Sequence, residues 1–203
     1  ALVEKPNRVV ITGDLIDKIA WLPQVCERLT TFAKQIPDGV DFILGNHEYH
    51  HDVNKVLDEL KHNTPMNILV NSNIQIMGGK QPVYIAGVAY DNDREKEKRE
   101  AMIDKALSGI PDYAFVILLA HHPEFFEEAI ECKIPLTLSG HTHGGQIVFM
   151  GMPLVPTGTP YTKGRYVEEQ SVCYVNNGSG HWFPIRINCP REITVITFFD
   201  GVA

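Results

Sequence analysis

Short apolar runs in this chain stop abruptly at turns rich in Gly, Asp, Asn and His. The run Arg8–Thr12 leads into Gly13-Asp14, and the run Val40–Leu44 leads into Gly45-Asn46-His47-Glu48. Apolar residues spaced three and four apart predict a helix after each of these turns. Strands that alternate with helices usually form parallel sheets, whose functional side chains gather at the carboxyl ends of the strands. The pattern therefore places Asp14, Asn46 and His47 at one edge of a sheet.

The rest of the chain is richer in strands than in helices. A charged helix is predicted over Arg94–Ser108, capped by Asp91-Asn92-Asp93, and its mixed charges indicate a solvated face. Predicted strands lie at Ile68–Val70, Ile74–Met77, Val83–Val88, Phe115–Ala120, around Leu136, and at Ile147–Phe149, Val172–Val175 and Ile193–Phe199. Together the two halves predict an α/β (α+β) protein.

Size, charge and cysteine spacing narrow the function. The 203 residues, 44% of them hydrophobic, are enough for one domain with a substantial core. The net charge is −7 and no basic run occurs, which argues against nucleic acid as a partner. No apolar run approaches the ~18 residues of a membrane span. The four cysteines form no Cys-x-x-Cys pair, so a cysteine zinc site is not expected.

Five side chains with metal-binding atoms follow four of the predicted strands: Asp14, Asn46, His121, His141 and His143. Carboxylate, amide oxygen and imidazole together suit Mn²⁺, Fe or Zn²⁺. Two such metals can hold a hydroxide between them and stabilise charge on a phosphoryl group. On an extended backbone the rings of His141 and His143 point to the same side. A glycine-rich turn with two solvated histidines is the alternative interpretation of that pair.

The order of these motifs resembles the calcineurin-like metallophosphoesterase superfamily. The motifs are Gly13-Asp14-x-x-Asp17, Gly45-Asn46-His47-Glu48, His121-x-Pro123 and Gly140-His141-Thr142-His143. The block Leu138–Ile147, and the ending from Pro184-Ile185-Arg186 to Glu192-Ile193-Thr194, resemble its bacterial phosphodiesterase branch. The resemblance implies a four-layer sandwich, in which two mixed β-sheets pack together and are flanked by helices. It also implies an enzyme that hydrolyses a phosphodiester or phosphomonoester by attack of a metal-bridging hydroxide on phosphorus.

The resemblance also gives each donor a role, with two divalent metal ions (Mn, Fe or Zn) as cofactors. Asp14 would be a catalytic residue that bridges the two metals. Asn46, His121 and His141 would complete one metal site, and His143 would belong to the other. His47, the second catalytic residue, would face the phosphoryl group and either stabilise its charge or protonate the leaving oxygen.

Neighbouring residues are expected to play smaller parts. His122 precedes Pro123 and should be extended, with its ring pointing away from the site. Asp17 is expected in a turn or capping role rather than as a ligand. Glu48 is expected to begin a helix and orient neighbouring groups. Three further histidines, His50, His51 and His181, are expected at the surface. Relatives often carry arginine at the position of Asn177.

One family motif, Asp-x-His on the opening strand, does not occur in these 203 residues. We therefore expect residues 1–203 to form a single metallophosphoesterase domain that lacks its first β-strand and helix. The alternative function is a degenerate metal-binding or regulatory module of the same fold with weak catalysis. The resemblance implies a bacterial protein with a phosphate-ester substrate, either cytoplasmic or associated with a membrane through an N-terminal segment absent from this sequence.

Overall fold

Two β-sheets form the centre of the fold in the computed structural model, which describes residues 2–90, 95–181 and 183–199. The smaller sheet is parallel, with its strands in chain order: β1 (Val9–Ile11), β2 (Val40–Phe42) and β3 (Asn67–Ile68). Helix α1 (Leu22–Ala33) connects β1 to β2. The short α2 (Asn46–Tyr49) and then α3 (Val53–Asn63) connect β2 to β3. This is the strand–turn–helix alternation that the sequence predicts.

The larger sheet has six strands of mixed direction. They are β4 (Ser72–Met77), β5 (Val83–Gly87), β6 (Phe115–Leu119), β7 (Leu136–Ser139), β10 (Gly164–Glu168) and β11 (Ser171–Val175). Their order is β10-β11-β7-β6-β5-β4, antiparallel at the two outer pairs and parallel between β11 and β5. A separate hairpin of β8 (Val148–Phe149) and β9 (Met152–Pro153) follows β7.

The side chains of β6 alternate between two hydrophobic cores. Ile117 and Leu119 pack with Ile43 in the core between the sheets. Val116 and Leu118 belong to a second core, together with apolar residues of α4 (Lys96–Leu107) and α5 (Phe126–Glu131). A third core joins α1 and α3 to the outer face of the smaller sheet. The result is a helix–sheet–sheet–helix sandwich, which confirms the expected fold class; the smaller sheet is parallel over its described strands.

The helices are short. Helix α4 begins at Lys96, close to the predicted start, whereas Arg94 and the predicted cap Asp91-Asn92-Asp93 lie outside the described residues. Helices α1 and α4 have 12 residues each. Within the described ranges, no helix combines the length and apolar character that crossing a bilayer requires.

The strand predicted at Ile193–Phe199 is not formed. Residues 191–199 have no regular secondary structure, and Val195 and Phe199 are 58% and 86% exposed. Alternating apolar residues favour a strand only where a neighbouring strand can pair with them. No described strand pairs with this segment, so the prediction is wrong for the structure as described.

Candidate metal centre

Four loops bring one acid, one amide and two imidazoles to a single point. The loops follow β1, β2, β6 and β7 and carry Asp14, Asn46, His121 and His141. The Oδ1 atom of Asn46 lies 3.0 Å from His121 Nε2 and 2.9 Å from His141 Nδ1. His121 Nε2 in turn lies 3.2 Å from Asp14 Oδ2 and 3.3 Å from His141 Nδ1. The structure thus gathers four of the five predicted donor residues.

The spacing of these atoms fits a shared divalent cation. Ligands about 2.1 Å from an octahedral ion are separated by about 3.0 Å along each edge of the octahedron. The pairs of donor atoms given above are separated by 2.9 to 3.3 Å. Carboxylate, amide oxygen and imidazole nitrogen are also a donor set suited to Mn²⁺, Fe or Zn²⁺. Asp14, Asn46, His121 and His141 could therefore hold one such ion.

A backbone carbonyl fixes the orientation of the His121 ring. His121 Nδ1 lies 2.6 Å from the carbonyl oxygen of Thr12. Because a carbonyl only accepts, Nδ1 carries a proton and Nε2 is directed at the other donors. Burial lowers the pKa of His121, but the Asp14 carboxylate and the Thr12 carbonyl raise it overall. A bound cation would compete with a proton for Nε2.

Asp14 is held as a carboxylate at the centre of the group. Its Oδ1 accepts a hydrogen bond of 3.0 Å from the backbone N–H of His47. Burial alone would raise the pKa of Asp14, but the His121 ring and the His47 N–H bring it well below its usual range. Asp14 and His141 both have a positive φ, of 58° and 66°. Such strained conformations cluster at functional sites.

Two glycines allow the first two loops to touch. A Cβ on Gly13 would lie 2.5 Å from His121 Nδ1 and 2.7 Å from the Cα of Gly45. A Cβ on Gly45 would overlap Asp14 and lie 2.8 Å from His121 Cε1. Any larger residue at these positions would push the donor side chains apart.

Glu48 ties the loops after β1 and β2 together. Its buried carboxylate accepts from four backbone N–H groups, at 2.7 Å (Gly45), 3.0 Å (Asp14), 2.7 Å (Leu15) and 2.9 Å (Ile16). Burial raises the pKa of Glu48, and the N–H groups of Gly45 and Ile16 oppose that rise. Glu48 lies in α2 as expected, and its contacts place Asp14 beside Asn46.

His47 lies at the edge of the donor group with its ring held by Asp17. His47 Nδ1 is 3.2 Å from Asp17 Oδ1, and His47 Nε2 is 3.9 Å from Asp14 Oδ2. Asp17 is not in the donor cluster of the described residues. Its contact with His47 was not foreseen from the sequence.

His143, the fifth predicted ligand, stands apart from the other four. The donor atoms that all lie within 4.8 Å of one another come from Asp14, His121 and His141 among the described acids, histidines and cysteines. His143 Nδ1 instead lies 3.2 Å from Arg186 Nη2. Burial and the charge of Arg186 lower the pKa of His143 to about 4. Since a guanidinium only donates, the neutral ring carries its proton on Nε2.

Sequence comparison agrees with the fold and with the chemistry of these residues. A family model described as calcineurin-like phosphoesterase matches residues 1–145. The chain belongs to the calcineurin-like phosphoesterase family. An uncharacterized metallophosphoesterase of Campylobacter jejuni is 36% identical over 202 residues, covering 96% of this chain and 51% of the relative. An uncharacterized metallophosphoesterase of Aquifex aeolicus is 30% identical over 202 residues, which make up 96% of this chain and 73% of the relative.

A zebrafish relative, a transmembrane protein with a metallophosphoesterase domain, is 32% identical over 94% of this chain and 45% of its own length. The chain spans about half the length of the relatives from Campylobacter jejuni and Helicobacter pylori. Membership of the family confirms the resemblance seen in the motifs.

A cleft of about 290 Å³ opens beside the donor cluster. Its lining includes Asp14, Asn46, His47 and His141–His143, together with Gly145 and residues 155–157 (Val, Pro, Thr). The cleft therefore offers both His47 and the donor group to one small ligand. The lining residues 155–157 belong to the Pro/Gly-rich segment after β9.

The prediction that the His122 ring points away from the site is wrong. The His122 and His141 rings have centroids 3.8 Å apart and planes inclined by 33°. Adjacent side chains face opposite sides only in a regular strand, and β6 ends at Leu119, before this pair. His122 is therefore a buried neighbour of a candidate ligand.

Arg186 also contacts a candidate site residue, and the sequence analysis gave it no role. Besides His143 Nδ1, it donates to the backbone carbonyls of Asn177 and Gly180, at 2.8 Å and 2.7 Å. Asn177, where relatives often carry arginine, thus supports an arginine from the chain's own Pro184-Ile185-Arg186 motif. Because that motif is part of the family resemblance, it was the sequence feature from which a role for Arg186 could have been predicted.

The remaining histidines make local contacts. The His50 ring lies 5.2 Å from the His47 ring, centroid to centroid. His51 Nε2 is 3.1 Å from the carbonyl oxygen of Asp17, and His181 Nδ1 is 3.3 Å from Arg191 Nη2. Among the three, His50 and His51 lie close enough to His47 or Asp17 to influence the edge of the site.

Proposed function

We propose that this chain carries the catalytic centre of a dinuclear metal-dependent phosphoesterase, which cleaves a phosphodiester or phosphomonoester by direct attack of water on phosphorus. The supporting observation is the convergence of Asp14, Asn46, His121 and His141 from four separate loops, within 3.3 Å of their neighbours. Membership of the phosphoesterase family supports the reaction class.

The proposed ligands follow from the donor geometry. Asn46, His121 and His141 would hold one ion together with Asp14, and Asp14 and His143 would contribute to binding a second. When bound, Mn²⁺, Fe or Zn²⁺ would supply Lewis acidity towards the phosphoryl oxygens and acidify a water molecule. Holding these donors in place before substrate arrives is the task of Glu48 and of the Thr12 carbonyl.

His47 is the proposed partner of the leaving group. Its ring lines the cleft, with Nδ1 against the Asp17 carboxylate and Nε2 on the side of Asp14. Nδ1 therefore carries a proton, and Nε2 is free to exchange one with a substrate oxygen. In its protonated form the ring stabilises negative charge on the phosphoryl group and can donate a proton to the departing oxygen.

The second ion needs donors beyond Asp14 and His143. We propose that they belong to a part of the whole protein outside these 203 residues, on a strand beside β1, which pairs only with β2 among the described strands. Binding of an ion at His143 Nε2 would also require the ring to lose the proton that the Arg186 contact favours.

The contact between Arg186 and His143 disfavours an ion at His143. It therefore supports a second candidate function, a module that holds a single ion and is catalytically weak. Metal counting by mass spectrometry separates the two. The count is made on the full-length protein: two Mn²⁺ ions per molecule support the dinuclear enzyme, whereas one ion supports the module.

Hydrolysis of bis-nitrophenyl phosphate by the Mn²⁺-loaded full-length protein tests the reaction itself. Asp14→Asn and His141→Ala should each lower the rate by at least about 100-fold, the scale of losing one electrostatic contact to the transition state. His62→Ala, an exposed histidine on α3, is the matched control. Activity that survives both substitutions and chelation of the metal would reject the proposal.

We also propose that the whole protein acts at a membrane rather than free in the cytoplasm. The relatives from zebrafish and cattle are both named transmembrane proteins with a metallophosphoesterase domain, and each covers 94% of this chain. Fractionation of cells that express the full-length protein tests the location.

A further inference from the structure

The hairpin of β8 and β9 presents its apolar side chains to solvent. Phe149, Met150, Met152 and Leu154 are 61%, 84%, 67% and 63% exposed. Isolated exposed apolar residues are common, but a group of four large ones on a single hairpin marks an interaction site. We call Val148–Leu154 the apolar hairpin.

The turn of the apolar hairpin retains methionine where turn chemistry disfavours it. Met150 and Gly151 form the turn, with φ values of 49° and 83°. Two positive φ angles define the tight turn in which Asn-Gly is the usual choice, because other side chains are strained there. Methionine at the first position is both strained and the most exposed side chain of the hairpin. Neither local structure nor solvation by water explains this residue.

The segment around the hairpin carries no charge. From Gly144 to Thr162 the sequence contains no Asp, Glu, Lys, Arg or His. This is an unusual stretch for the surface of a chain with 43 charged residues, 18 basic and 25 acidic. A surface that pairs with a protein normally has a polar or charged rim, whereas an uncharged protruding tip is compatible with the hydrocarbon edge of a bilayer.

The base of the hairpin is fixed to the body of the protein. Val148 N donates to Ile187 O at 2.9 Å, and Asn188 Nδ2 donates to the carbonyl oxygen of Val148 at 3.0 Å. Ile187, paired with Ile147 and 48% exposed, extends the apolar surface beside the hairpin. The base of the apolar hairpin is therefore held in place, while its tip is exposed to solvent.

The same uncharged segment forms one wall of the catalytic cleft. Leu154 is exposed, while the next residue, Val155, lines the cleft, so the two surfaces are about 3.8 Å apart along the backbone. An ester whose phosphate lies between Asp14 and residues 155–157 would extend its remaining atoms over the apolar hairpin. Acyl chains are the substituent that this surface suits.

We propose that the apolar hairpin inserts into the headgroup–acyl boundary of a lipid bilayer, and that the cleft receives the phosphate ester of a lipid headgroup. The substrate half rests on the proposed phosphoesterase activity, whereas the docking half does not. Because the chain carries a net charge of −7, insertion depends on the apolar side chains and not on attraction to anionic lipid.

Flotation with phosphatidylcholine vesicles tests the docking half without reference to activity. The 203-residue chain should float with the vesicles, and added salt should not release it. The double variant Phe149→Ser/Met150→Ser should bind at least about tenfold more weakly, since burying one large apolar side chain contributes a factor of ten or more. The control is Tyr113→Ser/Met77→Ser. It removes two similarly exposed side chains, at 65% and 59%, from the loop before β6 and from the end of β4.

Three outcomes overturn the docking half. The first is that the wild-type chain stays in the bottom fraction of the gradient. The second is that the hairpin variant floats as the wild type does, and the third is that the control variant loses binding to the same extent. A concentration-dependent dimer that the hairpin variant abolishes, without vesicle binding, would assign the surface to a second copy of the chain instead. Melting curves of both double variants verify that they fold.

Activity on two presentations of one phosphodiester tests the substrate half. In the full-length protein, the ratio of hydrolysis of a vesicle-embedded nitrophenyl phospholipid to that of soluble bis-nitrophenyl phosphate should fall at least about tenfold when the hairpin carries the double substitution. An unchanged ratio, or wild-type activity on the soluble ester alone, overturns the lipid substrate. Absence of activity on both esters with vesicle binding intact would instead refute the phosphoesterase proposal and leave the docking surface standing.

Discussion

The His122 imidazole stacks on that of His141, with centroids 3.8 Å apart and planes inclined by 33°. His141 Nδ1 meets Asn46 Oδ1 at 2.9 Å. A ring that packs against a ligand limits the directions in which its lone pair can point. His122 is thereby a positioning residue for the candidate metal centre, although its own nitrogens are not in the donor group of the described residues.

Removal of this ring should weaken metal binding. We expect His122→Ala to lower the Mn²⁺ affinity of the centre about tenfold, the lower end of the effect of residues that orient ligands. His122→Phe keeps a flat ring and should bind close to wild type. Titration calorimetry measures both, with His62→Ala on α3 as the control. Equal affinity of the Ala and Phe variants would show that stacking does not position His141.

Glu48 should be essential to stability because it satisfies four backbone donors with one buried carboxylate. Glu48→Gln leaves one oxygen and turns an amide N–H₂ towards the remaining donors. Each buried donor left without a partner costs about 1–3 kcal/mol, so we expect the free energy of unfolding to fall by about 3 kcal/mol. Urea denaturation measures this, and exposed Glu97→Gln on α4 should change stability by less than about 0.5 kcal/mol. A Gln variant as stable as wild type would contradict the structural role.

Gly45 should tolerate no side chain, for steric reasons alone. Its φ of −106° suits any residue, so Gly45→Ala introduces no backbone strain. The added Cβ would overlap Asp14 and lie 2.8 Å from His121 Cε1. We expect a loss of about 1–3 kcal/mol in stability, as for overpacked interiors, and weaker Mn²⁺ binding. Gly180→Ala, where a Cβ meets open space, is the control for thermal melting and titration, and equal behaviour of the two variants would refute the close approach of the loops.

The sequence allowed the convergence of Asp14, Asn46, His121 and His141 to be predicted, because each donor follows a strand at a turn and parallel strands share one carboxyl edge. The two contacts it missed do not follow from such spacing. His122 faces His141 because the backbone leaves the regular strand after Leu119. Arg186 reaches His143 across 43 residues of chain, through a loop whose path no local pattern specifies.

The strand predicted at Ile193–Phe199 failed to form for a similar reason, because its partner is not specified by the local pattern. Ile193–Phe199 has the alternation of a strand, but alternation describes only the two faces of a segment and not its partner. Where no described strand lies alongside, as here, the pattern leaves the backbone without a ladder. The other strands of the two sheets were predicted, apart from β10 (Gly164–Glu168), and each has a paired neighbour; Ile117 on β6, for example, lies opposite Ile85 of β5 and Leu136 of β7.

The contact of Asp17 with His47 predicts a selective effect on turnover. Asp17 Oδ1 lies 3.2 Å from His47 Nδ1, so the carboxylate fixes the proton there and leaves Nε2 towards the cleft. Asp17→Asn can present its amide N–H to that nitrogen, which favours the opposite tautomer. If His47 exchanges a proton with the leaving group, kcat should fall about 10- to 100-fold while KM and the Mn²⁺ content stay unchanged, since proton transfer by a positioned side chain contributes about 10²–10⁴-fold.

A double-mutant cycle separates this role from a general disturbance of the loop. With bis-nitrophenyl phosphate as substrate, Asp17→Asn should add nothing to the loss caused by His47→Asn, because Asp17 acts only through that ring. Exposed Asp58→Asn on α3 should leave kcat unchanged. Additive losses in the double variant, or a lower Mn²⁺ content in Asp17→Asn, would mean that Asp17 supports the metal centre directly and that its contact with His47 is incidental to turnover.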